Sequence, residues 1–195
     1  MILYLSIITV CSLIISGVVA FAYSANFWLI LGFTWIAIVL SIAIDGAVSG
    51  IARAMPKKCA QHDKKIFTVS AKEKKFYEKL KIRKWKEKIP EIGHFTGFRK
   101  NKIADPKSVE YVERFLLEAC YGEIGHFYSL FFGFLVLLLF PIHETWWAIS
   151  IPVAIVNVFL NIPSILVLRY NCYKLEILLA SNKKKQEREV KNQAA

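Results

Sequence analysis

Three long stretches of the chain carry no charged residue, and this feature limits its fold more than any other. They cover residues 1–44, 130–142 and 145–168. A helix in a soluble core usually keeps a polar face, so charge-free runs of this length are rare there. The hydrocarbon core of a bilayer is about 30 Å thick and is crossed by about 20 apolar residues in a helix. The pattern therefore predicts an integral membrane protein.

Four membrane spans are predicted, at residues 2–23, 27–50, 122–141 and 145–170. Because the apolar runs are continuous rather than alternating, they favour helices over barrel strands. The predicted fold class is all-α: two transmembrane helical hairpins and a basic, interfacial helical loop. We interpret residues 1–195 as a single membrane domain. The loop then covers residues 52–117, on the cytoplasmic side or at the interface, and a basic, flexible tail covers residues 181–195.

The basic residues predict the orientation. Of 26 Lys and Arg residues, 19 lie between residues 53 and 114 and 7 lie between residues 169 and 191. The turns near residues 24–26 and 142–144 have none. The positive-inside rule then predicts a multi-pass plasma membrane protein with both termini in the cytoplasm. The first span lacks a basic leader, which argues against a cleaved signal peptide, although the small residues at 20–25 leave cleavage as an alternative.

The central loop is too long to be a simple connector. A helix is predicted over residues 70–81, with a bend or restart at Ile82 and an end at Pro90. Asp105 is the predicted cap of the next helix, with Pro106 at its first position. A loop is predicted around Gly93 and Gly97. The basic charge suits adhesion to anionic membrane lipids or binding of a phosphate-bearing acyl carrier. No nucleic-acid recognition fold is visible, so nucleic acid is not an expected partner.

Glu123 and His126 are the most informative polar residues inside the predicted spans, where ionisable groups are usually functional. They lie at i and i+3 and so share a helix face. A carboxylate can orient an imidazole, which can then take a proton from a hydroxyl nucleophile. The alternative is a buried pair that fixes helix packing, and the spacing leaves both open. Glu118 lies nearer the cytoplasm.

Two further polar groups lie in the spans. Asn157, Asn161 and Ser164 form a stripe on the fourth span, and interhelical hydrogen bonding is the favoured interpretation of Asn157 and Ser164. Asn161 and Arg169 are better candidates for a functional site. Asp45 and Arg53 form another polar group near the inner end of the second span, where Arg53 either binds substrate or extends to the headgroups. No metal site is predicted, and His143 and Glu144 are expected to be solvated turn residues.

Three segments, at residues 76–91, 118–127 and 161–171, occur in an order that resembles a known family. They contain R-K-W-K, E-A-C-Y-G-E-I-G-H-F and N-I-P followed by R-Y-N. This pattern is similar to the glycosyl-4,4'-diaponeurosporenoate acyltransferases of bacterial carotenoid synthesis. The resemblance implies transfer of a fatty acyl group to a sugar hydroxyl on a membrane-embedded glycolipid or glycosylated isoprenoid. Three positions depart from the family pattern: Tyr121 and Cys172 replace arginine, and Phe127 replaces tryptophan.

The resemblance also implies roles for individual residues. Glu118, Glu123 and His126 fall on the family's acidic and histidine positions and are the predicted catalytic residues. The predicted substrate-binding residues are Arg53, from its position in the sequence, and, from the family motifs, Arg83, Lys84, Trp85, Lys86, Asn161, Arg169, Tyr170 and Asn171. No tightly bound cofactor is expected. The implied partners are an acyl-CoA or acyl-carrier donor, a lipid-linked sugar acceptor and membrane lipids.

The leading hypothesis is therefore a membrane acyltransferase in which His126 is the general base and Glu123 orients it. The alternative is a non-catalytic membrane scaffold or lipid-surface adaptor that uses the basic loop for binding. A small transporter is a weaker third hypothesis, because four spans without internal repeats offer little for a transport pathway. The sequence leaves the oligomeric state open.

Overall fold

The computed structural model describes residues 2–89, 103–139 and 143–193. These described residues are 84% helical and contain no strand. Within the described part of the chain, four helices are long and apolar enough to cross a membrane. The predicted all-α membrane fold is therefore confirmed. The helices are α1 (Ile2–Ala22), α2 (Phe27–Ala54), α3 (Ala71–Lys79), α4 (Ile82–Trp85), α5 (Val109–Phe132), α6 (Val136–Leu139) and α7 (Trp146–Gln193). The predictions at Pro90, Gly93 and Gly97 lie outside the described residues.

Helices α1 and α2 form the predicted first hairpin. Ser24, in the turn, has a φ of 49°. The Asn26 side chain accepts hydrogen bonds from the backbone N–H groups of Trp28 and Leu29, at 2.9 and 3.2 Å. An asparagine at this position satisfies donors that the first turn of a helix leaves free. The predicted turn at residues 24–26 is thus confirmed.

The central segment forms the two helices that the sequence predicts. Ser70 caps α3 by accepting a hydrogen bond from the Glu73 backbone N–H at 3.1 Å. Lys81 then has a φ of 53°, in the left-handed region, which an L-residue rarely adopts within a helix. Helix α4 begins directly after it, at Ile82. The predicted restart at this point is confirmed.

Helix α5 runs from the central segment into the third predicted span without a break, as the sequence suggested. Its predicted cap is corrected. The Ser108 hydroxyl accepts from the Tyr111 backbone N–H at 3.1 Å, so Ser108 caps the helix. The Asp105 carboxylate accepts from the N–H groups of Lys107 and Ser108, at 3.2 Å each, and therefore caps the preceding turn. Pro106 lies in this turn rather than at the first helical position, because the helix begins at Val109.

Helix α7 continues far beyond the predicted end of the fourth span. It contains Pro152 and Pro163, and a membrane helix tolerates proline because neighbouring groups can satisfy the freed carbonyls. The helix extends through residues 181–193, where the sequence predicts a flexible tail. The flexibility of that segment stays a prediction.

The chain divides into two compact units. The first comprises Met1–Ala54 and Ile124–Ile165, and its buried core contains Ile30, Ala37, Val136, Trp146, Ile149 and Val153. The second comprises Met55–Glu123 and Leu166–Ala195, and its core contains Val112, Leu116, Ala119, Cys172, Leu175 and Leu179. Large apolar side chains on α1 and α2 remain exposed, among them Phe21 and Trp28, as expected for helices whose outer faces meet lipid. The prediction of a single membrane domain stays a prediction.

Candidate functional site

His126 lies on α5 in the first unit, and its ring contacts an amide on α7. The Nδ1 atom of His126 is 2.7 Å from Oδ1 of Asn161, well within hydrogen-bond distance. Asn161 is only 5% exposed, so its side chain has little access to water. A buried amide that makes such a bond restricts the ring to one orientation. The structure thus brings together two residues that the sequence proposed as site candidates.

Asp45 on α2 extends this contact. Its Oδ2 accepts a hydrogen bond from Nδ2 of Asn161 at 3.1 Å, and its Oδ1 accepts one from Nδ2 of Asn157 at 3.2 Å. Nδ2 of Asn161 also lies 3.0 Å from the Asn157 carbonyl oxygen. We call these four residues, Asp45, Asn157, Asn161 and His126, the Asp45 network. Asp45 is half-buried, and the two amides supply hydrogen bonds that offset the cost of removing its carboxylate from water.

Small residues on the third span make room for this network. A Cβ atom added to Gly133 would lie 2.6 Å from Nδ2 of Asn157. A Cβ added to Gly125 would lie 3.2 Å from Oγ of Ser49 on α2. Membrane helices commonly approach each other through such small residues. The glycines therefore let α5 and the turn after it pack closely against the helices that carry the polar side chains.

An apolar cavity of about 40 Å³ lies beside the Asp45 network, in the first unit. Asn157 belongs to its wall as well as to the network. The other lining residues come from α1, α2 and α7 and are Ile8, Cys11, Ser12, Ile15, Ile38, Ser41, Ile42, Val153, Val156 and Leu160. A mostly apolar cavity among spanning helices suits a hydrocarbon chain better than a polar ligand.

Arg169 is the centre of a second polar cluster, in the second unit. Its guanidinium donates to both carboxylate oxygens of Glu73, with an Nη2–Oε2 distance of 3.1 Å. It also donates to a carboxylate oxygen of Glu123, to the Ile66 carbonyl oxygen at 2.9 Å and to the Tyr77 hydroxyl at 3.2 Å. We call Arg169, Glu73, Tyr77 and Glu123 the Arg169 cluster. The hydrogen bonds of the Arg169 side chain thus connect α7 to α3, to α5 and to the segment before α3.

The Arg169 cluster shifts the pKa values of its members on α3. Burial alone would raise the pKa of Glu73, but the hydrogen bonds from Arg169 and Tyr77 and the charge of Arg169 lower it overall. Burial and the neighbouring Glu73 raise the pKa of the Tyr77 phenol, although Arg169 opposes the shift. Glu73 is therefore an anion and Tyr77 a neutral donor at neutral pH, which matches the hydrogen bond that Tyr77 donates to Glu73.

The chain was compared with known protein families, curated proteins and solved structures. A family model described as glycosyl-4,4'-diaponeurosporenoate acyltransferase matches residues 62–181, which is more than half of the chain. The chain belongs to this family. Because this is an acyltransferase family, the chain is an enzyme of that class. A search of the curated proteins found no match, and a search of the solved structures found none.

Most of the predicted site residues lie within the part that matches the acyltransferase family. Lys86 donates from Nζ to Oδ1 of Asn171 at 3.3 Å, and the Trp85 indole donates to the Leu80 carbonyl oxygen at 3.0 Å. Tyr170 is buried, and Nζ of Lys174 lies 4.6 Å from its ring centre.

Arg83 and Lys84 are exposed on α4, and Glu118 is half-buried on α5. Arg53 is exposed in the last turn of α2, outside the matched residues.

The structure gives Glu123 and His126 different hydrogen-bond partners. Glu123 accepts from Arg169, and His126 is paired with Asn161. The predicted contact in which Glu123 orients His126 therefore stays a prediction. One oxygen of Glu123, Oε2, is buried, and among the described residues it has no hydrogen-bond partner.

Sequence reasoning missed part of each cluster of this acyltransferase. Asp45 was noticed only as a polar residue, although it is the first charged residue of the chain. Asn157 was assigned to packing. Neither Glu73 nor Tyr77 is among the predicted site residues, although their i, i+4 spacing places them on one face. No group of three His, Cys, Asp or Glu within residues 2–89, 103–139 and 143–193 is arranged to hold a metal ion.

Proposed function

We propose that the protein moves a fatty acyl group from a thioester donor to a sugar hydroxyl of a glycosylated isoprenoid or other glycolipid in the membrane. The family supports the reaction class and a glycolipid acceptor. The hydrogen bond between Nδ1 of His126 and Asn161 carries the assignment of the base. If Nδ1 donates this bond, Nε2 keeps a free lone pair with which to accept a proton.

The proposed reaction begins when Nε2 of His126 removes the proton of the acceptor hydroxyl. The hydroxyl oxygen attacks the carbonyl carbon of the thioester, a C–O bond forms and the C–S bond breaks. The departing thiolate takes the proton from the imidazolium, so the enzyme returns to its starting state. General bases of this kind typically accelerate reactions by about 100- to 10,000-fold. Glu123 and Glu118 remain candidates for supporting carboxylates.

Each substrate has a proposed binding region. The exposed Arg83 and Lys84 on α4 carry the charge and exposure needed to bind the phosphates of coenzyme A or of an acyl carrier protein. The apolar cavity beside Asn157 is of a kind that accepts part of a hydrocarbon chain. We also propose that both termini are cytoplasmic, which the distribution of Lys and Arg supports. The basic segment would then face the compartment that supplies acyl thioesters.

Replacement of His126 tests the proposed function. Membranes that contain the wild type or His126→Ala would receive glycosyl-4,4'-diaponeurosporenoate and labelled palmitate, bound either to coenzyme A or to acyl carrier protein. We expect acylated product from the wild type with one of the two donors and a loss of about 100-fold or more in the variant, since the base is gone. Mass spectrometry of the extracted lipids measures the product.

The matched control is His143→Ala, which removes a histidine whose Nδ1 contacts the neighbouring Thr145 hydroxyl at 2.8 Å. This variant should keep its activity. Equal product from wild type and His126→Ala would refute the assignment of the base. If neither donor gives product, and the two variants differ from wild type only in thermal stability, the non-catalytic scaffold becomes the better description.

A further inference from the structure

We propose that Asp45 is a positioning residue that fixes the tautomer and orientation of the His126 ring through Asn161. This inference rests on the proposed function, in which His126 is the general base. The residues matched by the family model begin at residue 62, so Asp45 lies outside them. Its assignment comes from the geometry of the Asp45 network alone.

The carboxylate of Asp45 fixes the orientation of the Asn161 amide. An ionised carboxylate can only accept hydrogen bonds, so the Asn161 atom 3.1 Å from it must be the amide nitrogen, as the structure has it. Because the amide has one nitrogen and one oxygen, its oxygen must then face His126. That oxygen can only accept, so Nδ1 of His126, 2.7 Å away, must carry the proton. The Asp45 carboxylate, together with the Asn157 main-chain carbonyl 3.0 Å from the same nitrogen, thus determines the direction of the hydrogen bonds up to the ring.

The direction of these bonds matters for catalysis. A neutral imidazole with its proton on Nδ1 has its lone pair on Nε2, and this is the form that a general base at Nε2 needs. The other tautomer would present an N–H at that atom and could not remove a proton. In protein sites the hydrogen bond at one ring nitrogen commonly fixes the state of the other. Asp45 would fix the state of Nε2 through two hydrogen bonds, the one it accepts from Asn161 and the one that Asn161 accepts from Nδ1 of His126.

Asn157 holds Asp45 in place for this role. It donates to Oδ1 of Asp45 at 3.2 Å, while Asn161 uses Oδ2. Each carboxylate oxygen therefore has its own amide donor, which restricts rotation of the carboxylate. If Asp45 served packing alone, its loss would lower stability and leave the tautomer of His126 as it was. The tautomer is therefore the observation that separates the two roles.

Asp45→Asn provides the test. An asparagine at position 45 can donate to Oδ1 of Asn161. The Asn161 amide can then turn over, giving up the hydrogen bond from its nitrogen to the Asn157 main-chain carbonyl, and donate to Nδ1 of His126, which moves the proton to Nε2. We expect the ¹⁵N NMR spectrum of histidine-labelled protein in detergent to show the Nδ1–H tautomer of His126 in the wild type and a shift towards Nε2–H in the variant. The His126→Ala protein identifies the signal. We also expect kcat to fall about 10- to 100-fold with little change in KM for the acyl donor.

Two further variants complete the experiment. Asp45→Glu keeps an acceptor-only group and should restore the Nδ1–H tautomer and part of kcat. Gly46→Ala, next to Asp45 on α2, where a Cβ atom would meet nothing within 4 Å, should leave both unchanged. An Nε2–H tautomer in the wild type itself overturns the proposal, whether or not any variant folds, and so does an unchanged tautomer in Asp45→Asn. If the tautomers behave as expected but the wild type transfers no acyl group, the proposed function fails and the positioning geometry stands.

Discussion

Arg169 illustrates how much one side chain can organise in this fold. Its planar guanidinium donates in several directions at once, to Glu73, Glu123, Tyr77 and the Ile66 carbonyl. A lysine ammonium is a point charge and cannot reproduce this set of bonds. The sequence proposed Arg169 as a substrate-binding residue. The structure gives it internal partners, and its role towards substrate remains a proposal.

Replacing Arg169 should destabilise the second unit because it leaves the buried Glu123 carboxylate without its charged donor. We expect Arg169→Met to cost about 3–5 kcal/mol and Arg169→Lys to cost less. The double variant Arg169→Met/Glu123→Gln should recover part of the loss, since the unpaired charge is removed. Denaturant unfolding in detergent micelles, followed by circular dichroism, measures all three. A double variant no more stable than Arg169→Met alone would contradict this explanation.

The lowered pKa of Glu73 determines the pH range in which its contribution to the stability of the Arg169 cluster changes. Because its pKa is lowered from the usual value of 4.5, the stabilisation is fully present above about pH 4.5 and is lost as the pH falls through the lowered pKa. The contribution of Glu73 to the stability of the Arg169 cluster should therefore be constant across the neutral range.

At the scale of elements, local patterns were reliable where local forces decide the structure. The first hairpin, the restart at Ile82 and the continuous helix into the third span follow from apolar runs, caps and the conformation of Lys81. The predicted cap of α5 was wrong because Asp105 and Ser108 both carry side-chain oxygens that can cap a helix. The two residues are only three positions apart, so the sequence alone does not show which of them caps α5. The continuation of α7 to Gln193 was missed because its polar end has no apolar stripe that marks a packed helix.

The close approach of Gly133 to Asn157 gives a prediction about these elements. In Gly133→Ala the new methyl group would meet the Asn157 amide nitrogen at 2.6 Å, so the amide must move and loosen its bond to Asp45. We expect acyl transfer to fall several-fold while the protein remains folded. Product formation and thermal unfolding, measured on the same detergent preparation, separate these two effects.

Gly32→Ala is the matched control, because a Cβ atom at Gly32 would meet nothing within 4 Å. It should keep full activity, and its stability should be unchanged or higher by up to about 1 kcal/mol, since alanine favours a helix. Equal activity of the two alanine variants would mean that Asn157 can move without consequence for the reaction.

At the scale of the whole molecule, the sequence predicted which residues belong to the candidate site better than it predicted how they pair. Asp45 and Asn157 are 112 positions apart, and Glu73 and Arg169 are 96 apart. Contacts over such separations depend on how helices pack, and spacing within one helix carries no information about them. The family motifs named His126, Asn161, Glu123 and Arg169, but the division of these residues into two clusters became visible only in the structure.

The proposed orientation of the chain in the membrane can be tested with cysteines. In a variant that keeps Cys59 alone, a membrane-impermeant maleimide should not label intact cells, because residue 59 is expected in the cytoplasm. A variant with Ser24→Cys as its single cysteine should be labelled, since residue 24 lies in the predicted outer turn. Cell lysis should make Cys59 reactive. Labelling of Cys59 but not of position 24 in intact cells would reverse the topology.

The shared guanidinium of the Arg169 cluster also has a consequence for how this protein can diverge. Glu73, Tyr77 and Glu123 all depend on the same donor, so no single exchange at position 169 can be offset by a change at one other position. Intermediates in which Arg169 and only one of its two carboxylate partners have been replaced would leave the other carboxylate without its cation. In descendants of this chain, positions 73, 123 and 169 are therefore expected to be inherited together or exchanged together.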